Sequence, residues 1–85
     1  MSGETLLQEA AATIANRRET YGEPADNLAV IARRWSITLG HPVTPAQVAL
    51  CMIDVKLARL SRDPEHLDSM IDVAGYAAVL REVSR

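Results

Sequence analysis

The stretch that decides the fold is Thr44-Pro45-Ala46-Gln47-Val48-Ala49-Leu50-Cys51-Met52-Ile53-Asp54-Val55-Lys56-Leu57-Ala58-Arg59-Leu60. It opens with a threonine able to cap a helix, a proline at the first helical position and a glutamine at the capping-box position. From Val48 to Leu60 its apolar residues point in nearly every direction around a helix. A helix that is apolar all round is buried on all sides. A short chain of four helices can hardly enclose one of its own members, so the remaining face is expected to meet another subunit. On this reading a charge introduced at Met52 or Ile53 would dissociate or unfold the protein.

Working outward, a tight turn near Ser61-Arg62 separates this helix from a fourth, predicted to start at the cap-and-proline pair Asp63-Pro64 and to run to about Val83. So short a connection predicts an antiparallel hairpin of the third and fourth helices. Upstream, Leu6, Leu7, Ala10, Ile14 and Ala15 recur at three- and four-residue intervals in a first helix from about Thr5 to Arg18. Tyr21-Gly22-Glu23-Pro24 stops it, and Pro24 opens a second helix that ends at Gly40, with Leu28, Ile31, Ala32, Trp35 and Leu39 as its buried stripe. Strand signals are absent. The expected fold is all-α, a four-helix bundle-like chain in a single domain over residues 1–85, working as an oligomer.

Composition bounds what such a chain does. Its 85 residues are 48% hydrophobic but only 4% aromatic, with no Phe, so the core must come from small and aliphatic side chains. A chain this short buries only about 60% of its unfolded surface and gains from partners. Nine basic and 11 acidic residues give a net charge of -2, which argues against direct DNA or RNA binding. Cys51, the single cysteine, lies in an apolar run and is expected to be a buried, inert thiol. No apolar stretch approaches the roughly 20 residues that span a bilayer, and no signal-peptide pattern opens the chain. No membrane role is expected, and the expected location is the cytoplasm.

Three groups of residues are candidates for chemistry. Asp54 lies roughly 10 Å from the hairpin turn, and Asp68 and Asp72 roughly 7 and 13 Å down the fourth helix, so the three share one depth. Asp68 and Asp72 also share a face that Gly75 and Val79 continue. Carboxylates gathered on facing helices suit Mg²⁺ and, through it, a phosphate chain; ion pairing of the same aspartates with Arg59 or Lys56 is the structural alternative. Lys56 and Arg59 need partners amid apolar neighbours, and an interhelix ion pair or a phosphate would serve equally. Tyr21, Gly22 and Glu23 with Asn27 form the third group, either an ordinary turn and cap or contacts to a base or sugar. Trp35 reads as core. His41 and His66 lack a second ligand at zinc spacing, and no nucleophile has a relay nearby.

Tyr21-Gly22-Glu23-Pro24, Asn27, Ile31-Ala32-Arg33, Trp35, Thr44-Pro45, Lys56-Leu57-Ala58-Arg59, Asp68-Ser69 and Ile71 through Ala78 together resemble a family of small phage and prophage proteins of unassigned function. More distantly, Asp72-Val73-Ala74-Gly75-Tyr76 is similar to the ending of MazG-like proteins, all-α nucleoside triphosphate pyrophosphohydrolases that are oligomeric and bind Mg²⁺ through Glu and Asp on paired helices. Of the paired acidic motifs of those enzymes, only Asp72 and Asp68 carry over; the third helix offers Asp54, Lys56 and Arg59 instead. The resemblance implies a nucleotide-binding helical homo-oligomer. In that reading Asp68 and Asp72 hold Mg²⁺, Lys56 and Arg59 the phosphates, and Tyr21, Glu23 and Asn27 the nucleoside. Hydrolysis to a monophosphate and pyrophosphate is one expectation. The other is a non-catalytic phage accessory protein that binds a host protein or sequesters a signalling nucleotide.

Overall fold

The computed structural model describes residues 1–84, and it is built from four helices: α1 (Gly3–Tyr21), α2 (Pro24–Leu39), α3 (Pro45–Arg62) and α4 (Leu67–Val83). Among the described residues there is no strand. No helix there is long and apolar enough to cross a membrane.

Local chemistry explains most of the boundaries. Ser2 caps α1 by accepting from the Thr5 amide, so that helix begins ahead of the expected Thr5. It runs on through Tyr21 until Gly22, whose φ of 84° is a conformation that favours glycine, turns the chain. Pro24 then stands at the start of α2, which ends at Gly40 in the left-handed conformation. The capping box read from the sequence is present in both directions: Thr44 Oγ1 accepts from the Gln47 amide, and Gln47 Oε1 accepts from the Thr44 amide.

The start of α4 corrects the sequence reading by one turn. Asp63-Pro64 does not cap the helix, because Asp63 Oδ1 is engaged by the Glu65 amide within the connecting turn. His66 caps it instead, its Nδ1 accepting from the Ser69 amide at 3.3 Å and lying 2.6 Å from Ser69 Oγ. Ser69 is buried, and that cap satisfies its hydroxyl.

A thin core forms where α2, α3 and α4 meet. Leu28, Ala32, Val48, Ala49 and Val79 are buried together, with Ile31, Trp35, Val43, Met52, Leu80 and Val83 packed around them. The most extensive helix contact is between α3 and α4, while α1 packs chiefly on α4. Ser36 fastens the α2–α3 connection, its Oγ donating to the Ala32 carbonyl and accepting from the Val43 amide at 2.8 Å. Arg18 ties α1 to both neighbours, its Nη2 donating to Glu82 Oε1 at 2.7 Å while its Nε lies 3.5 Å from Glu23 Oε2.

One face of α3 is left uncovered within the chain, as expected of four short helices: Leu50, Cys51, Val55, Leu57 and Ala58 are exposed. Two expectations about burial fail. Cys51 is therefore a surface thiol and not a buried one. Leu39, assigned to the stripe of α2, is 58% exposed, because the helix ends there and its side chain passes beyond the core.

Candidate functional site

The helices leave a cavity of about 500 Å³ between α1, α2 and α4, with one residue of α3 reaching into it. Its walls are apolar, with Ile14, Leu28, Ile31, Ile71 and Val79 among them, and a few polar groups converge on that setting: Arg17, Tyr21, Asn27, Lys56, Asp72 and Tyr76. Such a volume and such a mixture are usual for a small-molecule site.

Each polar group is placed by its helix. Arg17 and Tyr21 are one turn apart on α1, so the guanidinium stacks over the phenol ring at 4.8 Å from its centroid. Asn27 Nδ2 donates to the Tyr21 carbonyl at 3.1 Å, which joins the start of α2 to the end of α1. Lys56 Nζ lies 3.2 Å from Asp72 Oδ2, with the lysine side chain only 12% exposed and the aspartate 35%. The need of Lys56 for a partner is thereby met by an interhelix ion pair, one of the two arrangements open from sequence.

Gly75 also lines the cavity. A Cβ built on it would meet nothing within 4 Å. The glycine is thus not required by a close backbone approach, and its missing side chain leaves room in the cavity one turn below Asp72.

The sequence-predicted residues divide accordingly. Tyr21, Asn27, Lys56 and Asp72 are brought to one cavity; Glu23, Arg59 and Asp68 do not line it. Glu23 is the N-cap residue of α2 and pairs with Arg18. Arg59, Asp68 and Asp54 are exposed. Arg17 and Tyr76 belong to the cavity but were missed as site residues. The pairing of Arg17 with Tyr21 at helical spacing was the available signal for the first, and the Gly75-Tyr76 run for the second.

Among the described residues no group of three or more His, Cys, Asp or Glu side chains is gathered that could hold a metal ion. Asp68 stands apart on the surface, and Asp72 is engaged by Lys56. These residues do not fit a resident Mg²⁺ held by the protein alone.

Fold and cavity together define a small all-α protein with an amphipathic ligand-sized pocket. The chain belongs to the family described as "Domain of unknown function (DUF6378)", whose model matches residues 5–84. It is similar to the "Gene 55 protein" of Mycobacterium phage L5, with 38% identity over 68 residues, covering 79% of this chain and 44% of that relative. It is also similar to the "Gene 55 protein" of Mycobacterium phage D29, with 36% identity over 81 residues, covering 94% of this chain and 54% of the relative. The chain thus spans about half the length of these curated relatives. No solved structure matches it. The phage family expected from the sequence is found, and these matches do not extend to the more distant likeness to MazG-like enzymes.

Proposed function

We propose that this protein binds a nucleotide in the cavity between α1, α2 and α4. The observation that carries the reading is the convergence there of two cations, Arg17 and Lys56, with two tyrosines, Asn27 and a single carboxylate on apolar walls. A nucleotide offers matching chemistry. Its phosphates suit the guanidinium and ammonium groups, its flat base suits tyrosine rings and aliphatic side chains, and its sugar suits Asn27. The pairing of Lys56 with Asp72 keeps the ammonium in place while the pocket is free of an anion.

The MazG-like resemblance supports a nucleotide over other anions, and it brings pyrophosphohydrolysis as a further reading. Hydrolysis would need a metal, and one carboxylate is too few for a resident one. Mg²⁺ commonly keeps one or two carboxylates and takes its other ligands from phosphates and water. In this proposal Mg²⁺ belongs to the ligand's phosphates and no step is assigned to it. Asp68 and Arg59 have a place in the reading only as outer groups on the approach to the pocket, and Glu23 only as the group that positions α2.

The proposal includes the antiparallel α3–α4 hairpin as scaffold. The connecting turn spans only Asp63 to His66, and Lys56 and Asp72, which stand nearly equally far from it on either side, pair with each other, which supports that arrangement.

Incubation with canonical, modified and cyclic nucleotides and Mg²⁺ separates the two functional expectations. Release of pyrophosphate assigns an enzyme, and saturable binding without turnover assigns a sequestering accessory protein. Absence of both removes the nucleotide reading.

A further inference from the structure

A single chain leaves too much surface uncovered. A folded monomer of this mass ordinarily exposes about 5,000 Å², whereas this one exposes 5945 Å². Its radius of gyration is 13.5 Å, against about 12 Å for a compact domain of this length. The excess of roughly 1,000 Å² is close to the area that each partner contributes to a stable protein–protein interface, about 800 Å².

The uncovered surface is ordered along α3. Leu50 and Leu57, 49% and 47% exposed, stand on one outward stripe with Asp54 between them, at the four- and three-residue spacing of a single helix face. Cys51, Val55 and Ala58 form the adjacent outward stripe, which Arg62 ends. At the N-terminal end of α3 the stripes run into an apolar groove of about 340 Å³ bordered by Trp35, Leu39, Val43 and Leu50. Exposed Arg59 flanks the second stripe, and the stripes themselves carry one charge of each sign, Asp54 on the first and Arg62 on the second. Neither takes part in an ion pair among the described residues.

We propose that a second copy of this chain docks along the outward face of α3 and fills the groove between α2 and α3. Charge decides for a second copy over a foreign protein. Two-fold docking presents the same surface from both sides, so the unpaired Asp54 of one copy is offered the unpaired Arg62 of the other, and reciprocally. The inference is independent of the ligand proposed for the cavity, which opens elsewhere, between α1, α2 and α4. It also changes which substitutions read assembly. Met52 packs against the core and Ile53 is half-buried, so changes there read folding, while Leu50 and Leu57 read association.

Light scattering on the full chain at micromolar concentration, with Leu50→Glu, Leu57→Glu and Leu7→Glu beside it, tests the proposal. The expected result is a dimer or a higher even multiple of the 9.3 kDa chain mass, reduced to monomer in both α3 variants and retained in Leu7→Glu, whose exposed side chain lies on α1. If the α3 variants fail to fold, the reaction of Cys51 in the unmutated protein with a thiol reagent decides. The native thiol should react at least tenfold more slowly than in denaturant, because the docked copy covers it. A monomeric unmutated protein, an assembly that survives both α3 variants or is lost in Leu7→Glu, or a native thiol that reacts as fast as the unfolded one overturns the proposal. A monomer leaves the face to a foreign protein.

Discussion

Lys56 Nζ on α3 lies 3.2 Å from Asp72 Oδ2 on α4, and both residues line the same cavity. The pair joins the two most extensively packed helices and at the same time sets the charge inside the candidate site. Removing one member strands the other. Asp72→Asn leaves a nearly buried ammonium with a weaker partner and should destabilise the protein by about 1–3 kcal/mol, less than for a fully buried pair because Asp72 is partly solvated. Replacing both, as Lys56→Met with Asp72→Leu, should recover most of that loss. Urea denaturation of the two singles and the double measures the cycle, and additive losses would contradict the pairing as described.

Gly75 gives the opposite sign. Its Cβ position is free of neighbours within 4 Å, so Gly75→Ala should stabilise α4 by up to about 1 kcal/mol through helix propensity alone. A lower denaturation midpoint for that variant would show that the glycine serves the backbone and not the cavity.

The capping box of α3 is a separate, purely structural test. Thr44→Ala removes the acceptor for the Gln47 amide and should cost about 1 kcal/mol, with nucleotide binding unchanged because the cap is remote from the cavity. Equilibrium unfolding together with a binding titration reads both parts of that expectation.

These residues also show what was legible in the sequence. Thr44, Pro45 and Gln47, with Gly22 and Gly40, mark helix ends through local chemistry, which needs no knowledge of packing, and the structure follows them. Asp63-Pro64 misled because aspartate caps turns as readily as helices, while His66, outside the usual capping set, holds the true start of α4. For the site, counting along two helices gave the depth of Asp54, Asp68 and Asp72 but not the direction in which the charged residues of α3 and α4 face across the contact. That direction depends on how the helices turn toward each other. Lys56 and Asp72 meet, whereas Arg59 and Asp68 look outward. The helical spacing of Arg17 and Tyr21 announces their pairing, but their place in the cavity follows from the long-range packing of α1 across α4.

Arg17 offers the mildest test of phosphate recognition, because its side chain stacks on Tyr21 at the surface and carries no part of the core. Arg17→Ala should change stability by less than about 0.5 kcal/mol and weaken nucleotide affinity roughly tenfold, the loss of one charge-assisted contact. Calorimetric titration against thermal melting separates the two effects, and unaltered affinity would take Arg17 out of the site.

The central claim, that the cavity takes a nucleotide, is tested most directly by thermal-shift melting of the unmutated protein and Gly75→Val over a panel of nucleotides with and without Mg²⁺. A ligand that binds the native state raises the melting temperature. The account predicts a concentration-dependent rise with at least one nucleotide in the unmutated protein, and its loss in Gly75→Val, where the side chain fills the space beside Asp72. No rise with any nucleotide, or a rise that is equal in both proteins, would contradict it.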